Sequence, residues 1–235
     1  MNNTQLNVQR MKRLLVLGLA ALLMQGCNAT GSQGADTGDS QASASDPDRT
    51  PYSPASPGTF VVNSESDQPD AMAGDGRCAT AEGVCSLRAA VQESNATILF
   101  STNPLTRTNV IILPPGHYRF IEPPLVPTVV AEGTSDAGML SILGSTNIRG
   151  AGAGRTVIDG NGIDRVFGVG PNAVLTVADV TIRGGTASGI FNQGQLIVQR
   201  CLITENVAGY GGGIFNTPSS SAIIESRTIS NNVAE

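Results

Sequence analysis

Between residues 175 and 232 apolar side chains alternate with polar ones, the alternation breaks, and the whole pattern then repeats. LTVADVTIRGG (175–185), LIVQRCLITEN (196–206) and AIIESRTISNN (222–232) align at offsets of 21 and 26 residues. Leu175, Leu196 and Ala222 fall in one column and Val177, Val198 and Ile224 in a second. Val180, Cys201 and Arg227 share a third, and Ile182, Ile203 and Ile229 a fourth. A period of two buries one side of a pleated strand, and β-branched valine and isoleucine suit that surface. A helix needs apolar positions 3.6 residues apart, and the glycines here oppose it. Each unit therefore reads as strand, bend, strand and Gly-rich corner. Units of this size bury their apolar side only by stacking, so the pattern predicts a parallel β-solenoid.

The run GYGGGIFN (209–216) has the composition of a phosphate-cradling loop, but no apolar-periodic helix follows its glycines. GIFN also occurs at 189–192, which makes both stretches corners that open a strand. Glycine at such a corner is expected to supply positive φ. Asn192 and Asn216 align, as do Asn206 and Asn232, and each pair is expected to form an amide ladder across the strand spacing. Upstream, strands are expected at 60–63, 98–100, 110–113, 117–120, 141–143, 156–158 and 166–169. SLRAAVQESNA (86–96) predicts the one helix, capped by Ser86, with Leu87, Ala90, Val91 and Ser94 on one face. Its expected place is a lid over the first repeat. The last repeat stops at SNNVAE, before a corner and a GIFN, so a truncated stack is expected, with Arg227 leaving the inward column through its open end.

The first 59 residues carry no such pattern. Lys12 and Arg13 precede the apolar run LLVLGLAALLM (14–24), which is too short for a membrane span and ends in Gln25, Gly26 and Cys27. This resembles a bacterial lipoprotein signal, which implies cleavage before Cys27 and lipid on its sulfur; an ordinary secretion signal with an unmodified Cys27 is the alternative. Residues 28–58 contain no Ile, Leu, Val, Phe, Met or Trp and predict a disordered tether with a reach of about 30 Å. The domain reading is a signal peptide at 1–26, a tether at 27–59, an N-terminal cap at 60–97 and repeats at 98–235.

Charge and cysteines narrow the chemistry. Without residues 1–26 the chain holds 11 arginines, no lysine and 19 acidic side chains, which excludes a Lys base or Schiff base and argues against nucleic acid as a partner. His117 is the only histidine and no serine lies in G-x-S-x-G, so a Ser/His/Asp site has little to build on. In an exported chain Cys78 and Cys85, in CATAEGVC, are expected to form a disulfide, and Cys201 a small core residue. Zinc lacks two further ligands there, and no cofactor is implied.

The stretch 60–96, FVVNSESDQPDAMAGDGRCATAEGVCSLRAAVQESNA, resembles the CSLREA domain of bacterial surface and secreted β-helix proteins, with Ala89 in place of the motif's Glu. The later IRGAGAGRTVIDGNGIDRVFGV and GGGIFN stretches are similar to pectate-lyase-like repeats. The resemblance implies an all-β fold, a right-handed parallel β-helix (solenoid) with a short N-terminal capping helix, at the outer membrane or cell surface. It implies no particular reaction.

Two functions follow as expectations. One is a lipid-anchored, non-catalytic envelope protein for surface display, adhesion or contact with a polysaccharide or host glycan; the other is a secreted polysaccharide lyase or glycoside hydrolase. An enzyme predicts acids and arginines gathered in one outward groove across two or three repeats, whereas a display module predicts none, and a hydrolase needs paired carboxylates. The alignment offers Asp179 beside Arg200, read as an exposed ion pair, and Gln199 beside Glu225. Asp159 and Asp164 bracket GNGI, half of a Ca²⁺-binding nonapeptide. Asp67, Asp70 and Asp75 have the composition of a Ca²⁺ loop and equally of plain turns. His117 reads as a surface strand residue. No catalytic residue and no metal site is assigned. Replacing Cys27 by Ser is expected to move the protein from the membrane fraction to the soluble one, with the fold after residue 60 unchanged by circular dichroism.

Overall fold

The computed structural model describes residues 58–99, 108–121 and 138–235; the signal, Cys27 and nearly all of the tether lie outside them. Strand β1 (Thr59–Val61) leads through a long loop to helix α1 (Leu87–Leu99), then to β2 (Thr108–Ile112) and β3 (Gly116–Arg119). From residue 140 strands come in threes: β4 (Leu140–Ile142), β5 (Ser145–Arg149) and β6 (Thr156–Asp159), then β7 (Phe167–Val169), β8 (Val174–Ala178) and β9 (Thr181–Arg183). After β10 (Ile190–Asn192), β11 (Gln195–Gln199) and β12 (Leu202–Thr204) come β13 (Val207–Ala208), β14 (Ile214–Asn216), β15 (Ser221–Glu225), β16 (Thr228–Ser230) and β17 (Val233–Ala234).

The strands form parallel sheets. β1, β2, β5, β8, β11 and β15 lie side by side in one, β3, β6, β9, β12 and β16 in a second, and β4, β7, β10 and β14 in a third. Following the chain, β5, β6 and β7 enter the three sheets in turn, and β8 returns beside β5. Each circuit thus stacks on the one before it. The columns read from the alignment are the observed register: Leu196 pairs with Leu175 on one side and Ala222 on the other, Val198 with Val177 and Ile224, and Ile203 with Ile182 and Ile229. The second column extends back through Ile148 and Ile111 to Phe60. Buried Ile or Val side chains contribute on the order of 1.5–3 kcal/mol each, which makes these columns the main stabilising element.

Polar ladders fix the register between them. The Asn192 Nδ2 donates to Asn216 Oδ1 at 2.7 Å and the Asn206 Nδ2 to Asn232 Oδ1 at 2.9 Å, each as the alignment implies. Phe191 and Phe215 add a stacked ring pair, 5.4 Å between centroids, on the outside of the third sheet. The expected positive φ is found at the corner glycines Gly184 and, alone in GYGGG, Gly211, at 71° and 61°. Gly212 is required for another reason, because a Cβ there would lie 2.1 Å from the Val233 carbonyl oxygen. Left-handed bends also fall on Asp179, Arg200 and Ser226, one column of non-glycine residues between the strands of the first and second sheets.

Helix α1 corrects the expected strand at 98–100: the helix runs on through Leu99, two residues past the predicted end of the cap. β5 escaped notice because Ile148 is its only large apolar residue. Ser86 caps the helix as expected, its Oγ accepting from the Ala89 N–H at 3.0 Å. The whole helix from Leu87 to Thr97 is buried, not one face alone, because the loop before it folds back over it. Cys78 and Cys85 are disulfide-bonded within that loop, with Cα atoms 5.1 Å apart. Glu93 accepts the Gly74 and Gly76 N–H groups; burial pushes its carboxyl above the ordinary range, although those two donors oppose the shift. Asn95 serves the edge of the third sheet, donating to the Ser141 carbonyl and accepting from the Leu143 N–H.

The cap is held by a buried ion pair. The Arg88 Nε and Nη2 donate to Asp67 at 2.8 and 3.0 Å, Nη2 also reaches the Gly138 carbonyl, and the guanidinium lies 5.3 Å from the centre of the Phe120 ring. Asp67 also accepts the Ile121 N–H. Removing one partner leaves the other charge buried, so Arg88→Ala is expected to cost about 3–5 kcal/mol in urea unfolding. Arg88→Gln combined with Asp67→Asn should recover part of that loss.

Candidate ligand-binding groove

The outer face of the second sheet carries a cluster of charges. Along β3, Tyr118 points inward, which turns His117 and Arg119 to solvent. The register places Arg119 beside Asp159 of β6, and Asp159 beside Arg183 of β9. Glu205 follows β12, the next strand up. His117, Arg119, Asp159, Asn161, Arg183 and Glu205 line an open groove of about 400 Å³ that spans these four strands. Gly184 makes room for it, since a Cβ there would lie 2.5 Å from Asp159 Oδ1.

Asp159 is the hub. Its Oδ2 meets the His117 Nε2 at 2.9 Å and the Arg183 Nη2 at 2.9 Å, while Oδ1 accepts the Asn161 N–H at 2.9 Å. Burial raises its pKa, but the Asn161 N–H, His117 and Arg183 together outweigh burial and hold the carboxyl below the usual carboxylate range. An ionised carboxylate only accepts, so the proton on His117 sits on Nε2 and the other ring nitrogen is left available. Arg183 Nη1 also approaches Glu205 at 3.6 Å. Among the described residues Arg119 pairs with no acid, although Asp159 is its neighbour in the register: its Nε and Nη2 both donate to Asn161 Oδ1.

The sites singled out in the sequence fall elsewhere, apart from His117 and Asp159. Asp179 and Arg200 form the expected exposed pair at 2.6 Å, whose hydrogen bond lowers the Asp179 pKa. Gln199 donates to Glu225 at 3.0 Å. Asp67, Asp70 and Asp75 do not converge: Asp67 pairs with Arg88, Asp70 accepts the Met72 and Ala79 N–H groups, and Asp75 accepts that of Arg77. Asp164 meets Arg165, not Asp159. His117 is a strand residue with 45% of its side chain exposed, yet it belongs to the groove. Arg119, Asn161, Arg183 and Glu205 were missed. The signal was present: VIDG (157–160) aligns with TIRG (181–184), but the long loop at 150–155 breaks the offset.

Comparison with known proteins returned no match to a family model, to a curated protein sequence or to a solved structure.

Because Asp159 has a lowered pKa, it contributes stability that is present above the unfolded value of about 4 and lost as pH falls through the folded value. Asp159→Asn is expected to lower stability at pH 7 by about 1–3 kcal/mol and to flatten the loss between pH 5 and 3, read by thermal unfolding.

Proposed function

We propose that this is a lipid-anchored envelope protein, a right-handed parallel β-helix with a CSLREA-like cap, and that it contacts a glycan through the groove on its second sheet. The rotation of successive strands through three parallel sheets supports the architecture, and the strong preference of parallel crossovers for the right hand supports its handedness. Export and anchoring rest on residues 12–27. The observation that carries glycan contact is the groove itself: two arginines, a histidine, two acids and an amide, turned outward along adjacent strands. Strand repetition lengthens such a surface in one direction, which suits a polymer.

A secreted lyase or hydrolase is the second reading, and one observation favours it: acids and arginines gathered across several strands, with the His117 ring oriented by Asp159. Hydrolysis fits poorly. One carboxylic acid must hold a proton for the leaving group, whereas Asp159 is held ionised by the Asn161 N–H, the His117 hydrogen bond and Arg183.

Incubation of the protein with a panel of neutral and acidic polysaccharides is expected to give binding without cleavage, weakening as salt is raised from about 0.05 to 0.5 M. Unsaturated products or new reducing ends, with or without Ca²⁺, would establish the catalytic reading instead. If no polysaccharide of the panel binds, glycan contact is wrong.

A further inference from the structure

We infer that the groove is a site for one anionic group, a carboxylate or sulfate carried on a sugar, held by Arg119 on the face it shares with His117. This rests on the glycan reading and adds the chemistry of the ligand and the residues that take it. The groove's two arginines are not equivalent. Arg183 is engaged by Asp159 and approached by Glu205. Arg119 is exposed and meets only the neutral Asn161, which receives both its Nε and its Nη2 and donates its own Nδ2 to the Phe120 carbonyl. Asn161 therefore orients the guanidinium without cancelling its charge. Among the described residues, Arg119 has no carboxylate partner.

His117 sits two residues earlier on the same strand and the same face, about 7 Å away along the backbone. Its Nε2 is committed to Asp159, so only the other ring nitrogen is left to meet a ligand beside Arg119. The charges that face the ring are Asp159 on β6, Arg183 on β9 with its Nη2 3.5 Å from Nε2, and Arg119 on its own strand. Glu205 lies across the groove, and the Glu65 carboxylate lies against Gly116, beside the ring's own strand. Within the groove the two arginines match Asp159 and Glu205 in number, and Arg119 is the one that no carboxylate engages.

The experiment measures binding of the full chain to polygalacturonate, dextran sulfate and neutral dextran at pH 7, where both anionic polymers are ionised. Wild type is expected to bind at least one anionic polymer and to leave dextran unbound. Preference between the two polymers tells whether the group is a carboxylate or a sulfate. Arg119→Ala is expected to weaken binding at least tenfold. Asn161→Asp, which puts an acid against Arg119, should do the same. Arg77→Ala, which deletes an exposed arginine in the cap loop, is the charge-matched control and should change binding less than twofold; melting temperatures verify that all variants fold. Should a glycan bind with Arg119→Ala no weaker than Arg77→Ala, or dextran bind as well as the charged polymers, the site inference is overturned while glycan contact stands. Absence of binding to all three polymers overturns both.

Discussion

Everything in this protein depends on parallel strands being stacked one circuit apart in register. The backbone of each circuit is satisfied by its neighbours, so a residue's environment is set by what stands at the same column in the circuits before and after it. Phe60, Ile111, Ile148, Val177, Val198 and Ile224 form one such column along the first sheet. Apolar contact favours that alignment but tolerates slippage. Amides do not, because a donor must meet an acceptor, and the buried Asn192 and Asn206 side chains lock the register that the aliphatic columns stabilise.

A stack of this kind leaves unpaired backbone at its edges, which invites association unless it is covered. The N-terminal cap deals with the edge at β4 by side-chain chemistry. Asn95 takes the place of a neighbouring strand for Ser141 and Leu143, and Ser94 meets Thr146 of β5 at 2.9 Å. The cap cannot rest on apolar contact alone, since its helix carries Arg88, Gln92, Glu93 and Asn95 at buried positions. The first three are satisfied by the loop that wraps the helix: Asp67 for Arg88, the Asp70 N–H for Gln92, the Gly74 and Gly76 N–H groups for Glu93. The Cys78–Cys85 bond shortens that loop and so reduces the chain entropy lost in folding it down.

The groove follows from the same stacking rule applied to the outer face. Columns that bury aliphatic side chains inward place their neighbours outward in columns too, and there opposite charges are the compatible neighbours. Arg119, Asp159 and Arg183 alternate in sign up one column, with His117 and Glu205 flanking it. The column is not self-neutralising at its first strand, where the Arg119 guanidinium bonds Asn161 while the neighbouring Asp159 is engaged by His117 and Arg183. That asymmetry separates this face from the Asp179–Arg200 pair, in which each charge is fully answered by the other.

Local pattern carried much of this. Period-two alternation and the recurrence of GIFN specified strands, bends and their partners from residue 175 onward, because in a stack of near-equal circuits the sequence offset is itself the pairing register. The Ser86 cap and the cysteine pair were legible for a similar reason: each joins residues close in sequence. The first circuits were harder to read. There the loops differ in length, Ile98 and Leu99 have the composition of a strand yet continue a helix, and the polar β5 is a strand only because β2 and β8 flank it. Tertiary structure alone decided the groove, since it joins His117 to Asp159 and Arg183 across 42 and 66 positions of sequence. No local signal relates residues so far apart; the number of residues in each intervening loop sets which outward side chains share a column, and that becomes visible only once the circuits are stacked.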